Sequence, residues 1–253
     1  MNTELIKRLG AREARGIRTT WLHSASSLSA EVIARVGWDC LVADMQHSMT
    51  GFGEMVHILQ ATTNLGATVL VRPPALDPPL IGRLLDAGAS GIICPMVSSA
   101  VEARTLVSAC RYPPDGMRSI GPIRARMLFG DDYVGRANAG VLAVAMIETP
   151  GGLDNIDAIV HVPGIDAVFA GPSDIASSLG RPPRMDTDDP VVLDALGRIA
   201  SSAMAAGLIA GIACESSAYA VRMHATGFRL FVTGSDLRVM AAASKASLES
   251  FEK

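Results

Sequence analysis

Eight short apolar runs, each followed by a stretch of helical period, leave this chain few folds to choose from. The runs are "RTTWL" (18–22), "CLVAD" (40–44), "TVLVR" (68–72), "GIICP" (91–95), "LAVAMI" (142–147), "AVFAG" (167–171), "IAGIAC" (209–214) and "RLFVTG" (229–234). Helical patterns cover 28–36, 52–63, 78–87, 99–109, 153–160, 189–206, 216–225 and 236–251. Strands that are apolar at nearly every position are buried on both faces, as in a parallel sheet covered by helices. Eight such βα units in 253 residues predict a (β/α)8 TIM barrel, with an open doubly wound sheet as the alternative. No linker, low-complexity tract or charge block divides the chain, so one domain is expected over 1–253. The stretch 111–140, "RYPPDGMRSIGPIRARMLFGDDYVGRANAG", reads as the one long irregular connection, a kind of segment that is functional or disordered in a compact domain. Its proline-framed start carries Arg118 and suits a lid or a subunit contact.

Composition removes several function classes. A net charge of −3 without a basic stripe argues against nucleic acid or an anionic membrane as partner. The longest apolar run, "VLAVAMI" at 141–147, is far short of the ~18 residues of a membrane span. The opening "MNTELIKRLG" has an amphipathic helical pattern and no apolar core of a secretory signal, which points to the cytoplasm. Cys40, Cys94, Cys110 and Cys214 form no C-x-x-C pair and are expected as buried free thiols in a reducing compartment. Lysine occurs only at Lys7, Lys245 and Lys253, near the chain ends. A Schiff-base enzyme needs a desolvated pocket lysine, and a P-loop needs its own, so both are disfavoured. No G-x-G-x-x-G follows a strand, so a nicotinamide cofactor has no visible seat.

Active sites of such barrels form at the C-terminal ends of the strands. Asp44 and His47 follow the second run, Arg72 ends the third, Glu148 ends the fifth and Asp174 follows the sixth. Two carboxylates without cysteine or histidine partners suit a hard divalent cation such as Mg²⁺ or Mn²⁺. The plainer roles are a salt bridge or a helix cap, the latter for Asp174 in "GPSD". A glycosidase-like acid pair is a further option, although only 4% of residues are aromatic and sugar-stacking platforms are scarce. Arg72, at the end of an apolar strand, needs an anionic partner: Asp44, Asp86 or a substrate carboxylate. His47 lies three residues past Asp44, where an orienting carboxylate is near, and His23 is a weaker rim candidate. His57, His161 and His224 read as structural. Backbone N–H groups at 173–174, opening a helix, can bind an anion or form an ordinary turn.

"LVADMQHS", "VRPPALDPPLIGRLLDAGASGIICPMVSSAVEA", "RYPPDGMRSIGP", "DYVGRAN", "VAMIETPGGLDNIDAI" and "GIDAVFAGPSDIASSLG", in that order, resemble the HpcH/HpaI family of class II pyruvate aldolases. The resemblance runs from about residue 16 to 240. It implies a (β/α)8 barrel assembled as a homohexamer, a trimer of dimers with the last helix exchanged between subunits. It implies a divalent metal ion (Mg²⁺, Mn²⁺ or Co²⁺) on Glu148 and Asp174, and Arg72 on the substrate carboxylate and enolate. His47 takes the place of the family's histidine base and Asp44 that of the acid in the same loop. Asp86 of "LLDAGA" matches an aspartate that supports the histidine in some members. The amides of Ser173 and Asp174 would meet the pyruvate carboxylate. Departures lie in the second-strand loop, where "DMQHS" stands against the family's usual D-x-E-H-G. Gln46 removes one charge near the metal's water shell and Ser48 replaces a small residue, which bears on the choice of aldehyde.

The implied reaction is reversible retro-aldol cleavage of a 4-hydroxy-2-oxo acid to pyruvate, or a pyruvate analogue, and an aldehyde. The ion takes enolate charge that a lysine iminium would otherwise take. An alternative keeps the enolate and changes its source, as an oxaloacetate decarboxylase or a citramalyl-type lyase; for the thioester no basic CoA cluster is visible. A barrel that only binds a 2-oxo acid, as sensor or scaffold, is the non-enzymatic reading.

Overall fold

The computed structural model describes residues 16–251; the amphipathic pattern of the first ten residues, Lys7 and Lys253 lie outside them. Eight parallel strands close into a barrel in sequence order: β1 (Ile17–Leu22), β2 (Cys40–Asp44), β3 (Val69–Arg72), β4 (Gly91–Cys94), β5 (Leu142–Ile147), β6 (Ala167–Ala170), β7 (Ile209–Cys214) and β8 (Leu230–Ser235). Pairing of β1 with β8 closes the ring and excludes the open sheet. The helices are α1 (Ser27–Ala34), α2 (Phe52–Thr63), α3 (Pro78–Asp86), α4 (Ala100–Cys110), α5 (Ile123–Phe129), α6 (Tyr133–Gly140), α7 (Pro150–Asp154), α8 (Ile156–Val160), α9 (Pro172–Ser178), α10 (Pro190–Ala205), α11 (Ser217–Ala225) and α12 (Asp236–Ser250). None is long and apolar enough to cross a membrane among the described residues. All four cysteines are buried and free.

Because side chains alternate along a strand, each strand feeds two cores. Ile17, Trp21, Cys40, Val42, Leu70, Ile93, Leu142, Val144, Met146 and Phe169 fill the lumen. The intervening residues, Leu41, Ala43, Val69, Val71, Ile92 and Ala143 among them, pack outward against the helices. The lumen is narrow enough that some inward positions must be glycine. A Cβ on Gly91 would stand 2.7 Å from both Cβ and O of Leu142. One on Gly211 would meet the Phe169 ring at 2.6 Å.

Two sequence expectations need correction. The stretch 111–140 is ordered, not irregular: α5 and α6 lie in it, and Tyr112, Ala125, Tyr133 and Ala137 form a small core of their own. Its helices are hard to read from period because this core sits around a cation. The Arg118 guanidinium lies 4.4 Å from the Tyr112 ring and donates to the Tyr133 hydroxyl. The helix expected over 153–160 is two short helices, α7 and α8, which meet at Asn155; the helix expected to open at 173–174 is α9.

Gly91→Ala is expected to lower the unfolding free energy by about 1–3 kcal/mol in urea titrations, as overpacking does. Gly121→Ala, where the added methyl meets nothing within 4 Å, is expected to stay within about 0.5 kcal/mol of the parent.

Candidate active site

The two-residue period that fills the lumen also aims the polar side chains above it. Inward positions on β2 run Cys40, Val42, Asp44; on β3, Leu70, Arg72; on β5, Leu142, Val144, Met146 and then Glu148. Extending β1 the same way, Trp21 is followed by His23. Each apolar series therefore ends in a titratable group at the C-terminal mouth of the barrel.

Asp44 and Arg72 are register partners across β2 and β3, so the sheet itself sets them side by side. Arg72 Nε donates to Asp44 Oδ1 at 2.7 Å and Nη2 donates to Oδ2 at 2.8 Å, a bidentate fork between two buried groups. The backbone N–H groups of Gln46 and His47 donate to the same two carboxylate oxygens, at 3.0 and 3.1 Å. Burial opposes ionisation of Asp44, but Arg72 and the Gln46 N–H outweigh it and hold the carboxyl below its usual range. The Arg72 guanidinium also lies 4.1 Å from the centre of the Trp21 ring. Nη1 is the end not committed to Asp44, its contact being Met146 Sδ at 4.0 Å.

Trp21, His23, His47, Arg72, Ser173 and Asp174 line a cavity of about 370 Å³ at this mouth. Glu148 lies beside it, 3% exposed, with the Met96 N–H donating to Oε1 at 2.8 Å. Its other oxygen rests on Gly171, where a Cβ would come within 2.6 Å of Oε2. Burial pushes the Glu148 carboxyl up to about 6; the Met96 N–H works against this, the charge of Asp174 adds to it and Arg72 reduces it. Glu148 follows β5 and Asp174 lies in the first turn of α9, after the neighbouring strand β6, so the charge of Asp174 adds to the cost of ionising Glu148, a cost that a cation would relieve. Among the described residues no group of three or more His, Cys, Asp or Glu side chains is placed to hold a metal ion. Glu148 and Asp174 offer two carboxylates, a set that Mg²⁺ and Mn²⁺ accept while keeping positions for water and substrate oxygens.

The structure brings Asp44, His47, Arg72, Glu148, Ser173 and Asp174 together at one mouth, and Gln46 joins them through its backbone. Asp86 sits elsewhere. It ends α3, accepts from Arg118 Nη2 at 2.6 Å and lines a second cavity of about 800 Å³ with Arg83, Arg104 and Met117. That cavity is the larger one, but it lies between outer helices and away from the barrel mouth. Trp21, Met146 and Gly171 were not foreseen. Parity along β1 marks Trp21 as a lumen residue and His23 as the next inward step.

Over residues 18–243 the chain matches the family model described as HpcH/HpaI aldolase/citrate lyase. A hydroxypyruvate/pyruvate aldolase of Rhizorhabdus wittichii is 43% identical, covering 92% of this chain and 93% of that protein. A 2-dehydro-3,6-dideoxy-6-sulfogluconate aldolase of Pseudomonas putida is 35% identical over 90% of each. The crystal structure of an HpcH/HpaI aldolase/citrate lyase family protein from Burkholderia cenocepacia superposes with a TM-score of 0.91, at 30% identity and 99% coverage of both chains.

A carboxyl raised in the folded state weakens folding above that raised value and is neutral in its effect below the ordinary range. In metal-stripped protein, Glu148→Gln is therefore expected to be more stable than the parent at pH 7.5. The gain should approach about 2 kcal/mol and vanish as the pH falls through 6 toward 4.5, as read by thermal melts across pH.

Proposed function

Because the chain belongs to the HpcH/HpaI aldolase/citrate lyase family, we propose that it is a class II aldolase that reversibly cleaves a 4-hydroxy-2-oxo acid to pyruvate or hydroxypyruvate and an aldehyde. That it is an enzyme of the aldolase type follows from the family and from relatives matched over nine-tenths of their length. One observation carries the finer reading: Glu148, a desolvated acid just past β5, feels the charge of Asp174 in the first turn of α9, beside an arginine fixed by a buried fork.

Glu148 and Asp174 would hold the divalent cation, Mg²⁺, Mn²⁺ or Co²⁺, which when bound supplies Lewis acidity to the keto oxygen of the substrate. Arg72, locked by Asp44, presents Nη1 to the same oxygen and stabilises the enolate, a role worth roughly 3–4 kcal/mol in the transition state. The amides of Ser173 and Asp174, at the start of α9, receive the substrate carboxylate. His47, whose backbone is tied to Asp44, moves the proton between the 4-hydroxyl and the enolate carbon. Lys245 on α12 is exposed and paired with Glu249, which supports an enolate stabilised without a lysine iminium. Assembly as a hexamer with α12 exchanged is part of the proposal; exposed Leu237, Val239, Met240 and Leu248 on that helix support it. Asp86 is proposed to act in this site only where a neighbouring subunit's mouth meets it, since in its own chain it holds Arg118.

Chelation by EDTA is expected to abolish cleavage of a 4-hydroxy-2-oxo acid, and Mn²⁺, Co²⁺ or Mg²⁺ to restore it; full turnover after exhaustive chelation would overturn the metal role. Borohydride with pyruvate is expected to leave the protein mass unchanged in intact mass spectrometry. Arg72→Ala is expected to lower kcat by about 10²–10³-fold in steady-state aldol cleavage.

A further inference from the structure

The groups that would hold the keto acid occupy one side of the barrel mouth: Arg72 ends β3, Glu148 follows β5 and Asp174 follows β6. In a ring of eight strands in sequence order, β7 stands diametrically across from β3, with β8 beside it. Side chains leave that side open. On β8 the inward series Leu230, Val232 ends in Gly234, where a Cβ would meet nothing within 4 Å. The stacked rings of Trp21 and His23 fill the mouth at β1, whereas Ala213, Gly234 and Ser235 line it at β7 and β8. A substrate held at Arg72 therefore has room for its far carbons toward β7 and β8.

Two charged groups edge that room. The inward series of β7, Gly211 and Ala213, continues one step to Glu215, by the same parity that ends β2 in Asp44. Arg238, in the first turn of α12, lines the cavity, and its Nη1 donates to Glu215 Oε1 at 2.7 Å. Both are fixed at the backbone. The Glu215 N–H donates to Asp186 Oδ1 at 2.7 Å, and the Arg238 N–H to Ser235 Oγ at 3.3 Å. Asp236, in the same turn as Arg238, accepts from the His23 and Ser24 N–H groups at 2.9 and 3.2 Å.

The side chains of Arg238 and Glu215 are 58% and 54% exposed, so, unlike Asp44, they are open to an arriving molecule. A guanidinium carries several N–H donors and a carboxylate several lone pairs, so one contact leaves capacity on both. Arg238 shares this corner with two carboxylates, that of Glu215 and that of Asp186 behind it. Its charge is already matched, and a further anion meets repulsion there. A hydroxyl can accept from the guanidinium and donate to the carboxylate; a methyl can do neither.

We propose that Glu215 and Arg238 are the specificity-determining pair for the aldehyde, binding the hydroxyls of an uncharged, hydroxylated acceptor in preference to an alkyl or a carboxylate-bearing one. This rests on the aldolase reading above, with the keto acid held on the Arg72 side of the mouth.

The test is kcat/KM for aldol addition to glyceraldehyde, butanal and succinic semialdehyde, with pyruvate or hydroxypyruvate and Mn²⁺, in the parent, Arg238→Ala and Glu215→Gln. The parent is expected to favour glyceraldehyde over the other two. Arg238→Ala is expected to lower the glyceraldehyde-to-butanal ratio about tenfold, as loss of a hydrogen bond to a charged group does. Glu215→Gln leaves the Arg238 charge unmatched and is expected to raise the succinic semialdehyde-to-butanal ratio about threefold. A merely structural role would depress all three aldehydes together and leave both ratios in place, an outcome that overturns the proposal. A parent that prefers butanal or succinic semialdehyde overturns it equally. If the metal-loaded parent uses none of the three, the aldolase reading fails first and the proposal with it, so the two failures are told apart by the parent alone.

Discussion

The fork between Asp44 and Arg72 is the contact around which this barrel mouth is arranged. Two charged side chains are buried at register-matched ends of neighbouring strands, and neither is tolerable there without the other. Four donors converge on the carboxylate: two from the guanidinium and two from the backbone that turns out of β2. The turn that carries Gln46, His47 and Ser48 is thus folded onto Asp44, and the arginine is left with one free edge. That edge faces the cavity because Trp21 covers a face of the guanidinium and Asp44 occupies the opposite edge. The polar mouth is in this sense a continuation of the sheet's own pairing rather than a set of loops laid over it.

Glu148 shows the opposite use of burial. Asp44 is desolvated and compensated; Glu148 is desolvated with one backbone N–H and a like charge for company. The first holds its proton less firmly than usual and the second more firmly. One residue fixes geometry, and the other keeps a reserve of unmet charge at a fixed place. Gly171 makes the second arrangement possible, since any side chain there would displace the carboxylate.

Most of the barrel is legible in the sequence because its strands are buried on both faces and read as uniform apolar runs. The site is legible to the extent that the barrel is: once "CLVAD" and "TVLVR" are strands, Asp44 and Arg72 fall at their ends. What period alone does not give is lateral register, so the sequence leaves Arg72 between Asp44 and Asp86, and pairing across β2 and β3 decides for Asp44. Asp86 instead meets Arg118, from a stretch whose proline and glycine content hides α5 and α6. Trp21 escapes notice because an aromatic in a strand reads as core, which it also is. Metal dependence, the aldehyde and the assembly belong to chemistry that neither strand period nor barrel closure encodes.

Asp236 has one more implication, for how the molecule is made. The carboxylate that fixes His23 and Ser24 follows them by more than 200 positions, at the threshold of the last helix. During synthesis the first strand leaves the ribosome long before its anchor does, and contacts so distant along the chain form late. An emerging polypeptide can lay down most of its sheet while this corner stays open. The pocket is finished only when the final segment is released, so a chain truncated anywhere before residue 236 lacks the clasp that sets its first loop.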